Sequence, residues 1–393
     1  MKSPDFANRA NWEQTANLFH RKCTELRQKG TELLDLTVSN PTQCGFEYLN
    51  PALLAPLQNQ SNLEYTPDPR GLLSCRAAIA SYYKVKGIQV EPSQIFVTAN
   101  TSEAYSFVFK LLLDPGDSML APEPSYPLID YLASLNDIEI ARYSLDPAQK
   151  WKMKLEGLQK EISKADKALL LVHPNNPTGN YVSDEERQAV NKLARENGWS
   201  LIVDEVFLDY SLKDSTLKNG SFAGNKEALT FTLSGISKIL GLPQMKLSWI
   251  VVSGPEKESL EALSRLEILA DTYLSASTPS QNALPAWLER TDEIQKEILT
   301  RVQNNYEWFE KEYQNSRFPG NPPEIEGGWC LPIKLPSTLS DEAWALHFLE
   351  ESHAIVHPGY LYDFSEGSWI VVSLLVPPRI FQEGIGRIFK TIR

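Results

Sequence analysis

The sequence contains few cysteines, little positive charge and no long apolar run. Its four cysteines (Cys23, Cys44, Cys75 and Cys330) are scattered, without the spacing of a metal site or of a disulfide framework. We therefore expect reduced cysteines, no metal centre and a cytosolic location. The first residues lack the apolar core of a signal peptide, and no run reaches transmembrane length. These absences predict a cytoplasmic protein that does not insert into a membrane.

The charge balance excludes two further classes of protein. The 393 residues include 38 basic and 50 acidic side chains, which gives a net charge of −12. General nucleic-acid binders and proteins of anionic membrane surfaces need basic surface, so neither is expected. At roughly 150 residues per domain, the length predicts two or three domains, each with its own core.

Short apolar segments alternate with amphipathic ones from residue 95 onward. Strands are predicted at 95–98, 119–121, 138–143, 168–172, 201–203, 229–233 and 247–252, and helices at 70–86, 101–113, 127–134, 155–163, 183–197 and 256–270. Such alternation predicts an α/β fold with a mostly parallel sheet covered by helices on both faces.

A second, smaller α+β domain is predicted from the change of pattern near residue 280. A long helix at 280–313 is followed by strands at 330–335 and 369–374, a helix at 341–352 and a closing helix from 379. A helix at 11–29 is expected to join this part. The predicted domains are 45–280 (large) and 1–44 with 281–393 (small).

Polar side chains follow several predicted strands, and in a parallel sheet the carboxyl ends of strands carry the ligand site. Asn100, Thr101 and Ser102 begin a helix, where free N–H groups favour a phosphate, although Thr101 or Ser102 could simply be an N-cap. Tyr126 lies among prolines and could stack on a planar ring or serve as ordinary core. Asp204 ends an apolar strand, where a carboxylate is costly unless it is paired.

Two lysines lie between the strands predicted at 229–233 and 247–252. Lys238 and Lys246 are accompanied by Ser234 and Ser237. A lysine held between core strands loses solvation, which lowers its pKa and allows it to form Schiff bases. Taken alone, both could equally be surface lysines. A phosphate site, a stacking aromatic, a buried carboxylate and such an amine together match pyridoxal 5′-phosphate.

With these motifs on one sheet edge, nearly the whole chain resembles the class I/II aminotransferases, fold-type I enzymes that depend on pyridoxal phosphate. The resemblance implies that Asn176, in Asn176-Pro177-Thr178-Gly179, binds the ring oxygen and that Asp204 pairs with the pyridine nitrogen. It also implies a Schiff base on Lys238, next to Ser237. It further implies a homodimer in which Tyr65 of one subunit contributes to the active site of the other. The phosphate would lie at Asn100–Ser102 and Lys246, with Tyr126 stacked on the ring.

This chain departs from the family pattern at four positions. Phe207 replaces a usual tyrosine, Lys246 an arginine, and Gly235 a frequent serine. Near Val371 the arginine that grips the substrate carboxylate is absent. We expect Arg70 to be the first replacement candidate, and we expect a substrate pocket that includes Ser39, Asn40 and Tyr360; these four residues form the predicted substrate-binding set.

The predicted activity is transfer of an amino group from an amino acid or related amine to a keto acid. The alternative within the fold is a lyase acting at the β- or γ-carbon of an amino acid. A non-catalytic cofactor-binding module, of the kind fused to transcription regulators, is less consistent with the acidic charge and the short segment before the first loop.

Overall fold

The computed structural model describes residues 6–12, 18–155, 158, 166–212, 220–316, 318 and 321–392. The strands are β1 Leu34–Asp35, β2 Ile95–Thr98, β3 Ser118–Glu123, β4 Glu139–Asp146, β5 Lys152–Met153, β6 Asp166–Val172, β7 Ser200–Asp204, β8 Thr230–Gly235, β9 Ser248–Ser253, β10 Cys330–Leu335, β11 Ala354–Ile355, β12 His357–Pro358 and β13 Ser368–Ser373. The helices are α1 Leu18–Gln28, α2 Leu73–Val85, α3 Thr101–Leu112, α4 Leu128–Leu135, α5 Asp184–Asn197, α6 Ile236–Ile239, α7 Glu256–Tyr273, α8 Thr278–Leu288, α9 Thr291–Asn315, α10 Asp341–His347 and α11 Pro378–Thr391.

The larger sheet has eight strands in the order β2-β9-β8-β7-β6-β3-β4-β5. Strands β4, β3, β6, β7 and β8 pair in parallel, while β9 lies antiparallel between β8 and β2, and β5 is antiparallel at the far edge. The central strands β7, β8 and β9 are buried throughout, as their near-continuous apolar sequences require. The expected α/β fold with a mostly parallel sheet is confirmed.

Helices cover both faces of this sheet because successive residues of each strand point to opposite sides. Leu170 of β6 packs in the cluster formed with α3, α4 and α7, while its neighbours Leu169 and Leu171 pack against α5. The face that carries α3 is the one on which the polar strand ends described below converge.

A smaller antiparallel sheet, in the order β10-β13-β12, is packed against α9 and α11 through Phe309, Phe381 and Ile385. A third pair, β1 with β11, ties the N-terminal segment to this part. The division of the chain into domains at 44/45 and 280/281 stays a prediction.

The single helix expected at 280–313 is wrong, because two helices, α8 and α9, occupy this region. Arg290 leaves helical geometry (φ −95°, ψ 9°), and the hydroxyl of Thr291 donates to the carbonyl of Leu288 at 2.6 Å, taking an acceptor that would otherwise serve the helix. The antiparallel direction of β9 was not part of the expectation. Most of the helix expected at 155–163 lies outside the described residues. Among the residues the structure describes, no helix has the length and apolar character to cross a membrane.

Candidate active site

A cavity of about 110 Å³ opens at the carboxyl edge of the large sheet, on the face that carries α3. The residues that line it come from the carboxyl ends of five strands, from the loops and helices that follow them, and from the first residue of β9: Thr101, Tyr105, Tyr126, Ile129, Val172, Asn176, Asp204, Val206, Phe207, Gly235, Ser237, Lys238 and Ser248. Larger clefts of about 590 and 820 Å³ lie elsewhere on the surface. The polar groups that converge, rather than volume, single out the smaller cavity.

Asp204 ends β7 and is almost fully buried. Its Oδ2 accepts a hydrogen bond from the Tyr105 hydroxyl at 2.8 Å, and its Oδ1 accepts from the Val206 N–H at 3.0 Å. Burial raises the pKa of Asp204, while the Val206 N–H, the Tyr105 hydroxyl and the Lys238 ammonium oppose that rise. The carboxylate is thus a desolvated acceptor held in one orientation, able to keep a proton on a base placed beside it.

Lys238 lies on α6, the single helical turn between β8 and β9. Its Nζ is 5.1 Å from the centre of the Trp329 ring and 5.4 Å from that of Phe207. Burial of the side chain lowers the pKa of Lys238, although the charges of Cys330 and Asp204 act in the opposite direction. The hydroxyl of Tyr210 donates to the Lys238 carbonyl at 2.7 Å and fixes the backbone of the turn. The result is an amine in an environment that favours its neutral, nucleophilic form.

The turn after β6 is fixed by side-chain amides. Asn175 Nδ2 donates to the Pro124 carbonyl at 3.1 Å and to Thr178 Oγ1 at 2.7 Å, and the Gly179 N–H donates to the Asn175 carbonyl at 2.8 Å. Held by this turn, Asn176 faces the cavity, and its buried Oδ1 has no partner among the described residues. An unpaired buried amide oxygen at a cavity wall is an acceptor available to a ligand.

The N-terminus of α3 forms another end of the cavity. Asn100 is its N-cap: Oδ1 accepts from the Glu103 N–H at 2.9 Å, so the cap lies one residue before Thr101, the earlier of the two residues for which capping was the alternative. Thr101 lines the cavity together with Ser237. The first N–H groups of a helix have no acceptor within the helix, and they favour an anion. Lys246 is exposed, in left-handed backbone geometry (φ 50°), and is not among the lining residues.

Tyr126 lines the cavity with 42% of its surface exposed. The N–H of the preceding Ser125 donates to the Tyr362 carbonyl at 2.9 Å, which links this loop to the turn between β12 and β13. Tyr65 is 75% exposed and does not line the cavity of its own chain. Its expected role in a partner's site stays a prediction.

The structure does not bring Arg70 to the cavity. Its guanidinium donates to Glu267 Oε2 at 2.7 and 3.2 Å and to the Ser93 carbonyl at 2.8 Å, and it lies over the ring of Phe96. Among the lining residues of the described chain, Lys238 is the one cation. Val371 lies where the family pattern has an arginine, and it is buried opposite Pro332 and His357.

The remaining substrate-binding predictions also lie away from the lining residues. Asn40 Oδ1 accepts from the N–H and hydroxyl of Thr42, which makes it the cap of a short turn. The hydroxyl of Ser39 is 3.4 Å from the Thr37 carbonyl, and Tyr360 is 41% exposed. Their roles stay predictions.

Sequence reasoning missed Tyr105 and Ser248. Tyr105 is one helical turn beyond Thr101, and this i, i+4 spacing on a helix that begins at the site was the available signal. Ser248 carried no local signal, because only the pairing of β9 with β8 and β2 brings it to the cavity.

Comparisons with known proteins agree on one family. The model of the aminotransferase class I and II family matches residues 31–376. Glutamate-pyruvate aminotransferase AlaA of Haemophilus influenzae is 30% identical over 281 residues, which cover 71% of this chain and 69% of that protein. The S-alkyl-thiohydroximate lyase of Arabidopsis thaliana is 32% identical over 226 residues, which cover 56% of this chain and 48% of the lyase. The solved structure of an alanine aminotransferase from Pyrococcus furiosus shares the fold, with a TM-score of 0.87, 24% identity and 99% coverage of both chains.

Proposed function

The chain belongs to the aminotransferase class I and II family, and from that premise we propose that it uses pyridoxal 5′-phosphate to transfer an amino group from an amino acid to a keto acid. The observation that supports this most is the pairing, in one cavity, of a desolvated lysine and a buried, hydrogen-bonded carboxylate. Two of the relatives are named for glutamate, pyruvate or alanine. We therefore propose these small amino acids and their keto acids as the first substrates.

The residues present fit the cofactor. Asp204 offers a carboxylate for the pyridine nitrogen, Asn176 a cavity-lining side-chain amide whose N–H can donate to the ring oxygen, and the N-terminus of α3 a set of N–H groups for the phosphate. Tyr126 offers a half-exposed aromatic face for the ring. When bound, pyridoxal phosphate supplies an aldehyde that condenses with amines and a ring that withdraws electrons from the substrate α-carbon.

The chain's own residues have three tasks in this reaction. Lys238 Nζ would hold the cofactor aldehyde and, as a free amine, would carry a proton to or from the substrate carbon. Asp204 keeps the ring nitrogen protonated, and Tyr105 favours the ionised form of Asp204. Phe207 and Trp329 exclude water from the side of Nζ that they cover.

A lyase remains the second candidate because one relative is named as a lyase. That relative matches 56% of this chain, against 71% for the aminotransferase of Haemophilus influenzae, so transamination is better supported. If the chain is a lyase, it should release ammonia and a keto acid from an amino acid alone, without a keto acid acceptor.

We also propose a cytoplasmic homodimer with shared active sites. Leu63, Tyr65 and Leu73 expose 86, 75 and 63% of their surfaces on neighbouring parts of the chain, and large exposed apolar groups of this kind mark contact surfaces. The four cysteines are all free, in agreement with a reducing compartment. Light scattering of the purified protein measures the assembly directly.

The test of the proposed function is an absorbance spectrum with pyridoxal phosphate, followed by single amino acids without keto acid. We expect a visible band that alanine or glutamate bleaches to the pyridoxamine form, and that pyruvate or 2-oxoglutarate restores. Ammonia release from an amino acid alone would favour the lyase. Absence of any visible band would refute the cofactor assignment.

A further inference from the structure

Ser248, the first residue of β9, has a buried hydroxyl with no partner. The residue is 1% exposed, its Oγ makes no hydrogen bond within the described chain, and it lines the candidate active-site cavity. A hydroxyl left unpaired in a protein interior is destabilising, because it has lost its hydrogen bonds to water. Unlike a hydroxyl inside the core, this one reaches a cavity where a ligand could pair with it.

Strand pairing places Ser248 between the two segments that bracket one end of the cavity. On one side it pairs with Thr98, the last residue of β2, which leads into the N-terminus of α3. On the other side it pairs with Gly235, the last residue of β8, which leads into Ser237 and Lys238. Asp204 ends β7, on the other side of β8 from β9, so Ser248 and the carboxylate occupy different ends of the site.

The side chain of Ser248 points to the face of the sheet that carries α3. Ile250, two residues along β9, packs in the cluster that contains Ala104 and Val108 of α3, and residues two apart on a strand share a face. Ser248 therefore faces the same N-terminal turn of α3 whose N–H groups favour an anion.

Gly235 makes room for this hydroxyl. A Cβ placed on Gly235 would lie 2.1 Å from Ser248 Oγ and 2.8 Å from Ser248 Cβ. The backbone of Gly235 is extended (φ 175°), so any residue could adopt it, and what requires glycine here is the space that the serine hydroxyl occupies. A serine on β8 and a serine on β9 would thus deliver a hydroxyl to the same place.

We propose that Ser248 donates a hydrogen bond to the phosphate of the bound cofactor, and that Gly235 and Ser248 form a reciprocal pair in which β9 supplies the hydroxyl and β8 the space. This inference rests on the proposed function, since it assigns a group to the phosphate end of the cofactor. Thr101 follows β2 and Ser237 follows β8, the two strands that flank Ser248, and both line the cavity, so the hydroxyl completes a phosphate-binding set that contains no arginine.

The experiment compares the dissociation constants of pyridoxal phosphate and of pyridoxal, which lacks the phosphate, by absorbance titration. In Ser248→Ala we expect affinity for pyridoxal phosphate to fall by about tenfold or more, because the acceptor is charged. We expect affinity for pyridoxal to change by less than about twofold. The matched control is Thr232→Val, which removes another unpaired buried hydroxyl, on the adjacent strand but outside the cavity lining; it should leave both constants unchanged.

Exchanging the residues at positions 235 and 248 is the more discriminating test. Gly235→Ser alone should bind poorly, because the new side chain collides with Ser248, whereas Gly235→Ser with Ser248→Gly should recover affinity for pyridoxal phosphate to within about threefold of the unmodified protein. Equal loss of both ligands in Ser248→Ala, or no loss of either, overturns the inference, and so does a double variant no better than Gly235→Ser. Failure of the unmodified protein to bind pyridoxal phosphate would instead overturn the proposed function.

Discussion

Replacing Tyr105 by phenylalanine should shift the pH dependence of the reaction and leave the rest of the site in place. The variant deletes one hydroxyl, which donates to Asp204 Oδ2 at 2.8 Å in a fully buried environment. This hydrogen bond favours the ionised carboxylate and thereby opposes the effect of burial, which raises the pKa of Asp204. Without it, the pKa of Asp204 rises further, and the ionised fraction falls at any given pH.

The size of the effect follows from the strength of the bond. A hydrogen bond to a charged group contributes about 1.5–3 kcal/mol, which corresponds to roughly a tenfold to hundredfold change in an ionisation constant. The acidic limb of the kcat profile should therefore move toward higher pH by about one to two pH units. Activity on the alkaline side of that limb, where Asp204 is ionised in both proteins, should change much less.

The assay is steady-state transamination measured from pH 5 to 9, with saturating cofactor. Tyr143→Phe is the matched control, because Tyr143 is also buried but donates to the Leu170 carbonyl at 2.9 Å and does not line the cavity. An acidic limb that stays in place in Tyr105→Phe would show that Tyr105 does not govern the ionisation of Asp204.

Three further predictions concern other buried groups. Lys238→Ala should remove the visible band of the bound cofactor and lower kcat by at least about a hundredfold, whereas the exposed Lys226→Ala should match the unmodified protein in both absorbance and rate. Burial raises the pKa of Glu205 to about 7; because the folded value exceeds the ordinary one, this group favours folding below about pH 4.5, and that contribution is lost as the pH rises through 7. The free energy of unfolding by urea should thus fall between pH 5 and 8 by on the order of 3 kcal/mol more than in Glu205→Gln, and equal slopes would contradict this. In Glu186→Ala, loss of the bonds from the Met153 N–H at 2.7 Å and the Ser183 N–H at 2.8 Å should lower the free energy of unfolding by about 3 kcal/mol in the same assay, with kcat of the folded enzyme unchanged.

Several parts of the fold could be read from local patterns because local physics decides them. The helix at Asp184–Asn197 begins at Ser183, whose hydroxyl accepts the Glu186 N–H while the Glu186 carboxylate accepts the Ser183 N–H, as the serine–glutamate spacing predicts. The apolar run ending in Asp204 formed the expected strand, and Thr101, Tyr126, Asn176 and Lys238, which the carboxyl-edge rule groups together, line one cavity.

Other features depended on which distant segments meet. The sequence made Arg70 the first candidate to bind the substrate carboxylate. The fold instead places its guanidinium against Glu267 and Phe96. The split between α8 and α9 lies where Arg290 leaves helical geometry and the Thr291 hydroxyl bonds to the Leu288 carbonyl, and a run of helix-forming residues does not reveal either feature.

The sequence by itself determined the alternation of strands and helices and the polar residues at the strand ends, on which the proposed class of cofactor rests, because periodicity, capping and strand-end position are properties of short segments. Only the tertiary structure decided that Tyr105 serves Asp204, that Trp329 covers Lys238 and that Ser248 fills the space left by Gly235. The partners in these pairs are 99, 91 and 13 positions apart along the chain. Contacts of this kind depend on strand order and direction, which side-chain periodicity within a single segment does not encode.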